Sequence, residues 1–300
     1  MTPAPSPSQL QLDGMPVRLF SCTPSRLAAF DCPRRYRFTY LDRPTPPRGA
    51  PWAHNAVGAS VHNALHLWWQ LPVAHRTPDE GARLVEQNWQ NLGFRDDAQS
   101  LRTSVEAAGW VERYLEAGPR QVGVEARSEP IGVERTVAAR TRRLAISGRV
   151  DRIDERGEEL VVVDYKTGRR PLTEDDARGS QALALYVLGV RTTLRRPCCR
   201  VELHHLPTGT VAAFDHTDAS LSRHVARAEA TAEDIVTATD TLAAGADVDD
   251  VFPAVTSPGC SWCDFRAHCP EGRAASRNVE SWAGLGSELP DAGESAGQPG

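Results

Sequence analysis

The sequence predicts an α/β core behind a helical N-terminal half, with a cysteine-bearing arm near the C-terminal end. Three observations point there. Apolar residues recur at helical spacing between about 24 and 117. After Gly118-Pro119 the texture changes to short segments rich in Val and Ile, as strands require. Late in the chain, three cysteines fall within the ten residues 260–269. Helices, then strands, helix, strands and helix make an α/β order in which the first half decorates the core.

Taken in order, residues 1–18 are rich in Pro and Ser and are expected to be disordered. Thr23-Pro24 opens a helix, with Thr as N-cap and Pro at the first helical position. Its apolar positions are Leu27 and Phe30, then Tyr36 and Tyr40 beyond a break at Pro33. A Pro/Gly-rich linker covers about 43–51, and 56–70 (AVGASVHNALHLWWQ) reads as a buried helix. Further helices are expected near 78–92, capped at Thr77 with Glu80 three residues on, and near 98–117. Strands are expected at 122–127, 131–138, 143–154 and 159–165. Residues 173–190 return to helix, 199–206 and 210–214 flank the turn Pro207-Thr208-Gly209, and a long helix spans about 217–245. One domain over 19–275 is therefore expected, with 276–300 a mostly disordered tail.

Composition removes several classes of function. No apolar run approaches the roughly 18 residues of a membrane helix. The opening MTPAPSPSQLQLDG has neither a basic nor an apolar signal region, so a cytoplasmic protein is expected. Seven cysteines, an odd number in such a chain, argue for metal or cluster ligation rather than a disulfide framework. The net charge of −5 is unevenly spread. Segments 228–250 and 278–300 hold seven and four acids and no base, which leaves +6 on the rest. A basic face for nucleic acid is compatible with that distribution.

Of the 34 basic residues, 33 are Arg, and Lys166 is the single Lys. Where the two cations are interchangeable, such a drift removes Lys. The survivor is expected where a compact, titratable ammonium is needed, with chance survival as the bland alternative. Lys166 lies in SGRVDRIDERGEELVVVDYKTG, which reads as a hairpin around Glu155-Arg156-Gly157-Glu158. Asp164 and Lys166 are two apart on one strand, so both face one side, ~7 Å apart. If Asp154 pairs with Glu159, Asp151 falls opposite Val162 on that same side. Two carboxylates suit a hard divalent cation, and an ammonium beside it can orient water and stabilise developing phosphorane charge. A solvated hairpin with ordinary cross-strand ion pairs is the competing explanation.

Two other constellations stand out. His62 lies four residues after Gly58, on the same helical face, with His66 four further on. A zinc pair at that spacing lacks the acidic residue of H-E-x-x-H, and a lone helical His is more often a satisfied core residue. Cys260-x2-Cys263-x5-Cys269 is a strong signal for metal or cluster binding. A fourth ligand is needed, from among Cys22, Cys32, Cys198, Cys199 and His268. Cys22, Cys198 and Cys199 also read as small buried hydrophobes.

These residues bring a family into view. From about Ser21 to Pro270 the chain resembles the RecB-like exonucleases of the PD-(D/E)XK nuclease superfamily, in the branch that carries an iron–sulfur cluster. The motifs are SCTPSRLAAFDCPRRYRFTYL, GASVH, GRVDRID, VVVDYKTG, QALALYVLG and the three-cysteine segment. Each is modest alone, but their order and spacing are specific. The resemblance implies a restriction-endonuclease-like mixed sheet. It implies a cation site for Mg²⁺ or Mn²⁺ formed by His62, Asp151, Asp164 and the Tyr165 carbonyl, with Lys166 as the catalytic ammonium. Gln181 and Tyr186 match the family's Q-x4-Y helix against the DNA strand. Cys32, Cys260, Cys263 and Cys269 match the four ligands of a [4Fe–4S] cluster.

The implied activity is a metal-dependent DNA exonuclease, acting on single-stranded DNA and leaving a 5′-phosphate. Its implied setting is DNA repair or CRISPR adaptation. Arg34, Arg35 and Arg37 near the cluster, with Arg169 and Arg170 after the active-site strand, are candidate phosphate contacts, each of which could equally be a solvent-facing charge. No Walker A motif is present, so ATP-driven unwinding would come from a partner helicase. Two rivals stand beside this reading: a non-catalytic DNA-binding or helicase-associated subunit, and a zinc-stabilised module. Intact His62, Asp151, Asp164 and Lys166 speak against the first.

Overall fold

The structure, a computed structural model, describes residues 19–118 and 129–285. Its centre is one six-stranded mixed sheet. The strands are β1 (Phe20–Cys22), β2 (Gly132–Arg140), β3 (Leu144–Arg156), β4 (Glu159–Lys166), β5 (Cys198–His205) and β6 (Thr210–Asp215). Their order is β1-β3-β4-β5-β6, with β2 pairing β3. Pairs β1–β3 and β4–β5 are parallel, and the rest are antiparallel. β4 is central because its sequence is continuously apolar. Leu160, Val161, Val162 and Val163 are each at most 1% exposed, as a strand covered on both faces requires.

Helices cover both faces. On one, α3 (Ala53–Gln70), α4 (Pro78–Gln87) and α5 (Asp97–Ala117) pack on Val161, Val163 and Tyr165. On the other, α7 (Gln181–Leu194) packs on Val150, Ile153, Leu160 and Val162. There α1 (Pro24–Ala28), α2 (Pro33–Tyr40) and α8 (Asp218–Ala243) bury Leu27, Tyr36 and Ile235 beside Leu144 and Ile146. Three short helices complete the set: α6 (Glu174–Gly179), α9 (Val248–Val251) and α10 (Pro270–Ala275). Among the described residues, no helix is long and apolar enough to cross a membrane.

Several expectations change. The helix expected over 173–190 is two helices, because Ser180 is extended and caps α7 by accepting from the Leu183 N–H. The β3–β4 hairpin pairs Arg156 with Glu159, two positions away from the expected Asp154–Glu159 pairing. Gly157, at φ +62°, lets the loop close with two residues. A two-residue shift keeps every side chain on its face, and the continued register sets Asp164 rather than Val162 opposite Asp151. β1 and α9 had no clear signal, being three and four residues long. The strand expected at 122–127 lies outside the described residues, as do 1–18. Residues 276–285, expected in a disordered tail, instead pack on the start of α3. The Ala53 N–H donates to Ser281 O at 3.0 Å. The Ser281 hydroxyl donates to Gly93 O at 2.6 Å. Trp282 and Leu285 give this stretch apolar surface to bury.

Candidate active site

β3 is longer than any single neighbour. One edge is covered by β2 from Ala145 to Ile153. The other pairs with β1 up to Ile146 and with β4 only from Arg152. Residues 147–151 on that edge therefore have no strand partner, and the cleft opens there. The face alternation of β3 also breaks at this point. Val150 and Ile153 both join the core under α7, while Arg152 stacks on Trp69 of α3. On β2 the corresponding break is Glu134, at φ +49°, and the Glu134–Asp151 pair is missing from an otherwise continuous ladder.

The predicted site residues His62, Asp151, Asp164, Tyr165 and Lys166 meet in this cleft. Asp151 Oδ2 accepts the Tyr165 N–H at 2.8 Å, which β4 would otherwise give to a strand. His62 Nδ1 lies 3.4 Å from the same oxygen, and His62 Nε2 donates to the Tyr165 carbonyl at 3.0 Å. Lys166 Nζ pairs with Asp164 Oδ2, which accepts no hydrogen bond of ordinary geometry. A cavity of about 490 Å³ is lined by Gly58, His62, His66, Glu134, Arg149 and Asp151, among others. A Cβ on Gly58 would lie 3.3 Å from Thr167 Oγ1, a tight contact that the glycine avoids.

Charge is concentrated. Burial raises the Asp164 carboxyl, Lys166 pulls it back, and the Asp151 charge raises it further. Burial and Asp151 also raise Glu134. Burial pulls His62 down, but its hydrogen bond to Asp151 and the charges of Asp151 and Asp164 outweigh this and raise it. Protons are thus held where a cation would relieve the repulsion.

Glu134 is the residue sequence reasoning missed. Ligand atoms of His62, Glu134 and Asp151 all lie within 4.8 Å of one another. No motif marks Glu134. Its only signal is an acid in a Val-rich strand, and its place opposite Asp151 depends on strand register. Two carboxylates opposite each other in a sheet are unfavourable unless something cationic lies between them. An oxygen-rich set with one imidazole, beside an Asp164 carboxylate whose buried Oδ2 meets only Lys166, fits a divalent cation such as Mg²⁺ or Mn²⁺.

Tyr186 of α7 faces the cleft. Its ring fills the space a Gly148 Cβ would need, at 2.4 Å, and burial with the Asp164 and Asp151 charges raises its hydroxyl. Gln181 instead turns to α8, accepting from Arg227 Nε at 2.6 Å. Behind the cleft, Arg152 donates to Asp154 and to the hydroxyls of Tyr165 and Tyr114 at 2.9 and 3.0 Å. Tyr114 continues to His204, and His204 to the fully buried Glu202, which Arg156 and Arg200 also bind. A buried charged network of this kind is costly unless fully paired, and it braces the strands that carry Asp151 and Tyr165.

The arginines divide. Arg34 is 7% exposed and pairs with Glu271 and Asp249. Arg37 pairs with Asp249 and Asp42. Arg35 donates to the Ala28 and Ala29 carbonyls, and Arg170 pairs with Asp176. The structure commits these four to intramolecular contacts instead of a free phosphate-binding row, because acids on α6, α9 and α10 and carbonyls of the first turns reach them. Arg169 remains exposed.

Cys32, Cys260, Cys263 and Cys269 line one pocket, although 228 residues separate the first two. Backbone N–H groups of Gly272 and Ser257 donate to the sulfurs of Cys269 and Cys260 at 3.3 and 3.4 Å. A Cβ on Gly272 would lie 3.3 Å from Cys269 Sγ and 3.7 Å from Cys260 Sγ. Burial, with Cys32 and Cys260 nearby, raises the Cys263 thiol. Cys22 and Cys198 lie in other cores, their thiols pushed by burial up to about 11 and about 12. The pocket's sulfur-only donor set and backbone donors to sulfur fit a cluster or a soft metal.

No curated protein matches the chain. Twenty-seven chains of solved structures do. One is the crystal structure of a "Putative exonuclease" from Eubacterium rectale, 12% identical over 69% of this chain and 76% of that one, with a TM-score of 0.42. The cleft between diverging strands carries the acid-x-lysine pair Asp164 and Lys166. Residues 21–270 match the PD-(D/E)XK nuclease superfamily, and the chain belongs to it.

Proposed function

We propose that the protein is a metal-dependent DNA exonuclease that hydrolyses single-stranded DNA. The observation that carries this is the meeting of His62, Asp151, Asp164 and Lys166, with Glu134, in one cleft of a nuclease-superfamily chain. His62, Glu134, Asp151, Asp164 and the Tyr165 carbonyl would hold the cation. Bound there, it would supply Lewis-acid polarisation of the phosphodiester and a more acidic water. Lys166 Nζ, an ammonium anchored by Asp164, orients the attacking water and offsets charge on the phosphorus centre. Tyr186 closes the side of the cleft under α7 and donates its hydroxyl toward the phosphate. Cys32, Cys260, Cys263 and Cys269 would hold a [4Fe–4S] cluster, which would tie the C-terminal arm to the first helices. A repair or CRISPR-adaptation setting, in the cytoplasm and beside a separate helicase, is the corresponding cellular reading.

The test is anaerobic purification followed by digestion of end-labelled linear and circular single strands and duplexes, with Mg²⁺, Mn²⁺ or EDTA. Metal-dependent shortening of linear single strands, with circles spared and 5′-phosphate products, is the expected result. No cleavage with either metal rejects the activity. Cutting of circles rejects the exonuclease assignment. A broad absorption near 400 nm marks a cluster, and its absence with bound zinc rejects that part.

A further inference from the structure

We infer that Arg149 forms an anion subsite that takes a phosphodiester of the entering strand at the mouth of the cleft, with Glu134 as its positioning residue. This rests on the nuclease reading above. Arg149 stands two residues before Asp151 on β3, ~7 Å along the strand. It lies in the one stretch of that edge with no strand partner, between the end of β1 pairing and the start of β4 pairing. It lines the same cavity as His62 and Asp151.

Its pairing is unlike that of the other arginines near the site. The Nε of Arg149 meets Glu134 Oε2 at 2.7 Å, yet the Arg149 side chain is 69% exposed while that of Glu134 is 16% exposed. The guanidinium is therefore held along one side by a nearly buried carboxylate. Its terminal nitrogens have no partner of their own among the described residues. That leaves a fork suited to two phosphate oxygens. Arg34, Arg37 and Arg170 have their terminal nitrogens on carboxylates instead.

The backbone of Glu134 supports the assignment. Among the described residues, only Glu134 and Arg195 are non-glycine with positive φ. Arg195 caps the C-terminus of α7, where the left-handed region is ordinary. Glu134 adopts it inside a strand, a strained conformation that persists only where the surroundings impose it. The bend keeps the carboxylate between Asp151 and Arg149. Charge gives the subsite its purpose. Glu134, Asp151 and Asp164 face the cleft with Lys166 and His62 beside them, so an approaching phosphate meets three carboxylates. Arg149 is the cation on the solvent side that offsets them.

The experiment measures binding of an end-labelled single strand in Ca²⁺, under conditions checked for absence of cutting, across a salt series. Wild type, Arg149→Gln, Arg149→Lys and Glu134→Gln are compared, and circular dichroism confirms folding of each. Arg149→Gln should weaken binding about tenfold and lower the slope of log affinity against log salt by about 0.7, one phosphate contact on a single strand. Arg149→Lys should restore the slope but not the full affinity, since a point charge replaces a fork. Glu134→Gln should weaken binding less while keeping the slope. In Mn²⁺, Arg149→Gln should raise KM more than it lowers kcat. Wild-type affinity and slope in Arg149→Gln would overturn the subsite while leaving the nuclease reading intact. A wild type that neither binds nor cuts DNA would overturn both.

Discussion

The cleft and the cysteine arm both gather residues from distant parts of the chain, but they are held in place by different means. The cleft's donors sit on β2, β3, β4 and α3, elements whose cores are complete without any bound group. Arg152, Tyr165, Tyr114, His204 and Glu202 lock the strands from behind. The arm has no such scaffold. Cys260, Cys263 and Cys269 lie on short 3-10 turns and at the start of α10, and Cys32 is the residue before α2. Between 253 and 275 only Ser261, Phe265 and Gly272 are buried. A segment with so little core depends on whatever bridges its thiols, whereas the cleft is formed before its cation arrives.

The largest effect should come from the arm. If the proposed group bridges these thiols, replacing Cys32 or Cys263 with Ser should release residues 253–285. Structural metal sites of this kind contribute on the order of 10 kcal/mol. The loss should be read as a lowered Tm and as rapid proteolysis within that segment. The arm also touches the cleft indirectly. Trp52, just before α3, donates to Asp264 at 2.9 Å and packs on Trp262 at 5.2 Å between ring centres. Nuclease activity should therefore fall as the arm loosens. A Cys263→Ser protein with unchanged Tm and protease resistance would break the comparison.

In the cleft the pattern should invert. Asp151→Ala should abolish cleavage, while Tm and DNA binding stay close to wild type. Near-normal cleavage would remove Asp151 from the cation site. Lys166→Arg should cost ~10²–10⁴ in rate, the usual worth of a positioned proton-transfer or water-orienting group. The charge is kept, but a guanidinium is planar and larger than the ammonium beside Asp164. Lys166 is partly exposed, so the fold should not change. Activity within a few-fold of wild type would make Lys166 a simple counter-charge.

The same contrast decides what the sequence made legible. Asp164 and Lys166 could be placed from strand alternation, because a period of two survives a register error of two, whereas Asp151 sits where the alternation of β3 breaks and its face was not fixed by that rule. His62 and the cysteines needed tertiary convergence, which spacing does not supply and the family resemblance did. Glu134 and Arg149 were not found. Glu134 faces Asp151 through a pairing between strands joined across a turn, and its aim depends on a left-handed backbone that no residue type announces at a Glu. The charges of Arg34 and Arg37 were visible, but their partners Asp249 and Glu271 lie more than 200 residues away, so burial could not be read locally. The tail 276–285 misled because its composition is polar, while Trp282 and Leu285 suffice to dock it.

The smallest effect concerns protons and sharpens the claim that the cleft is pre-formed. Glu134 and Asp164 have raised carboxyl pKa values in the fold, from burial and the neighbouring Asp151. Between its unfolded and folded pKa values, such a group binds more protons in the native state than in the unfolded one. Stability therefore falls as pH rises through that window, and the penalty is full above it. A cation among these carboxylates removes the penalty, so it should stabilise the protein most at neutral and alkaline pH. As pH falls, it must displace protons from Glu134 and Asp164, and from His62, whose imidazole is also raised. Mn²⁺ at about a hundred times its Kd should add about 2.7 kcal/mol, a Tm increase of roughly 5–10 °C, at pH 8. That increase should shrink steadily toward pH 5 and be lost in Asp151→Ala at every pH. The absorption of the cysteine arm should not change across the same series. An equal Mn²⁺ effect at pH 5 and pH 8 would mean that the ion binds outside this cleft.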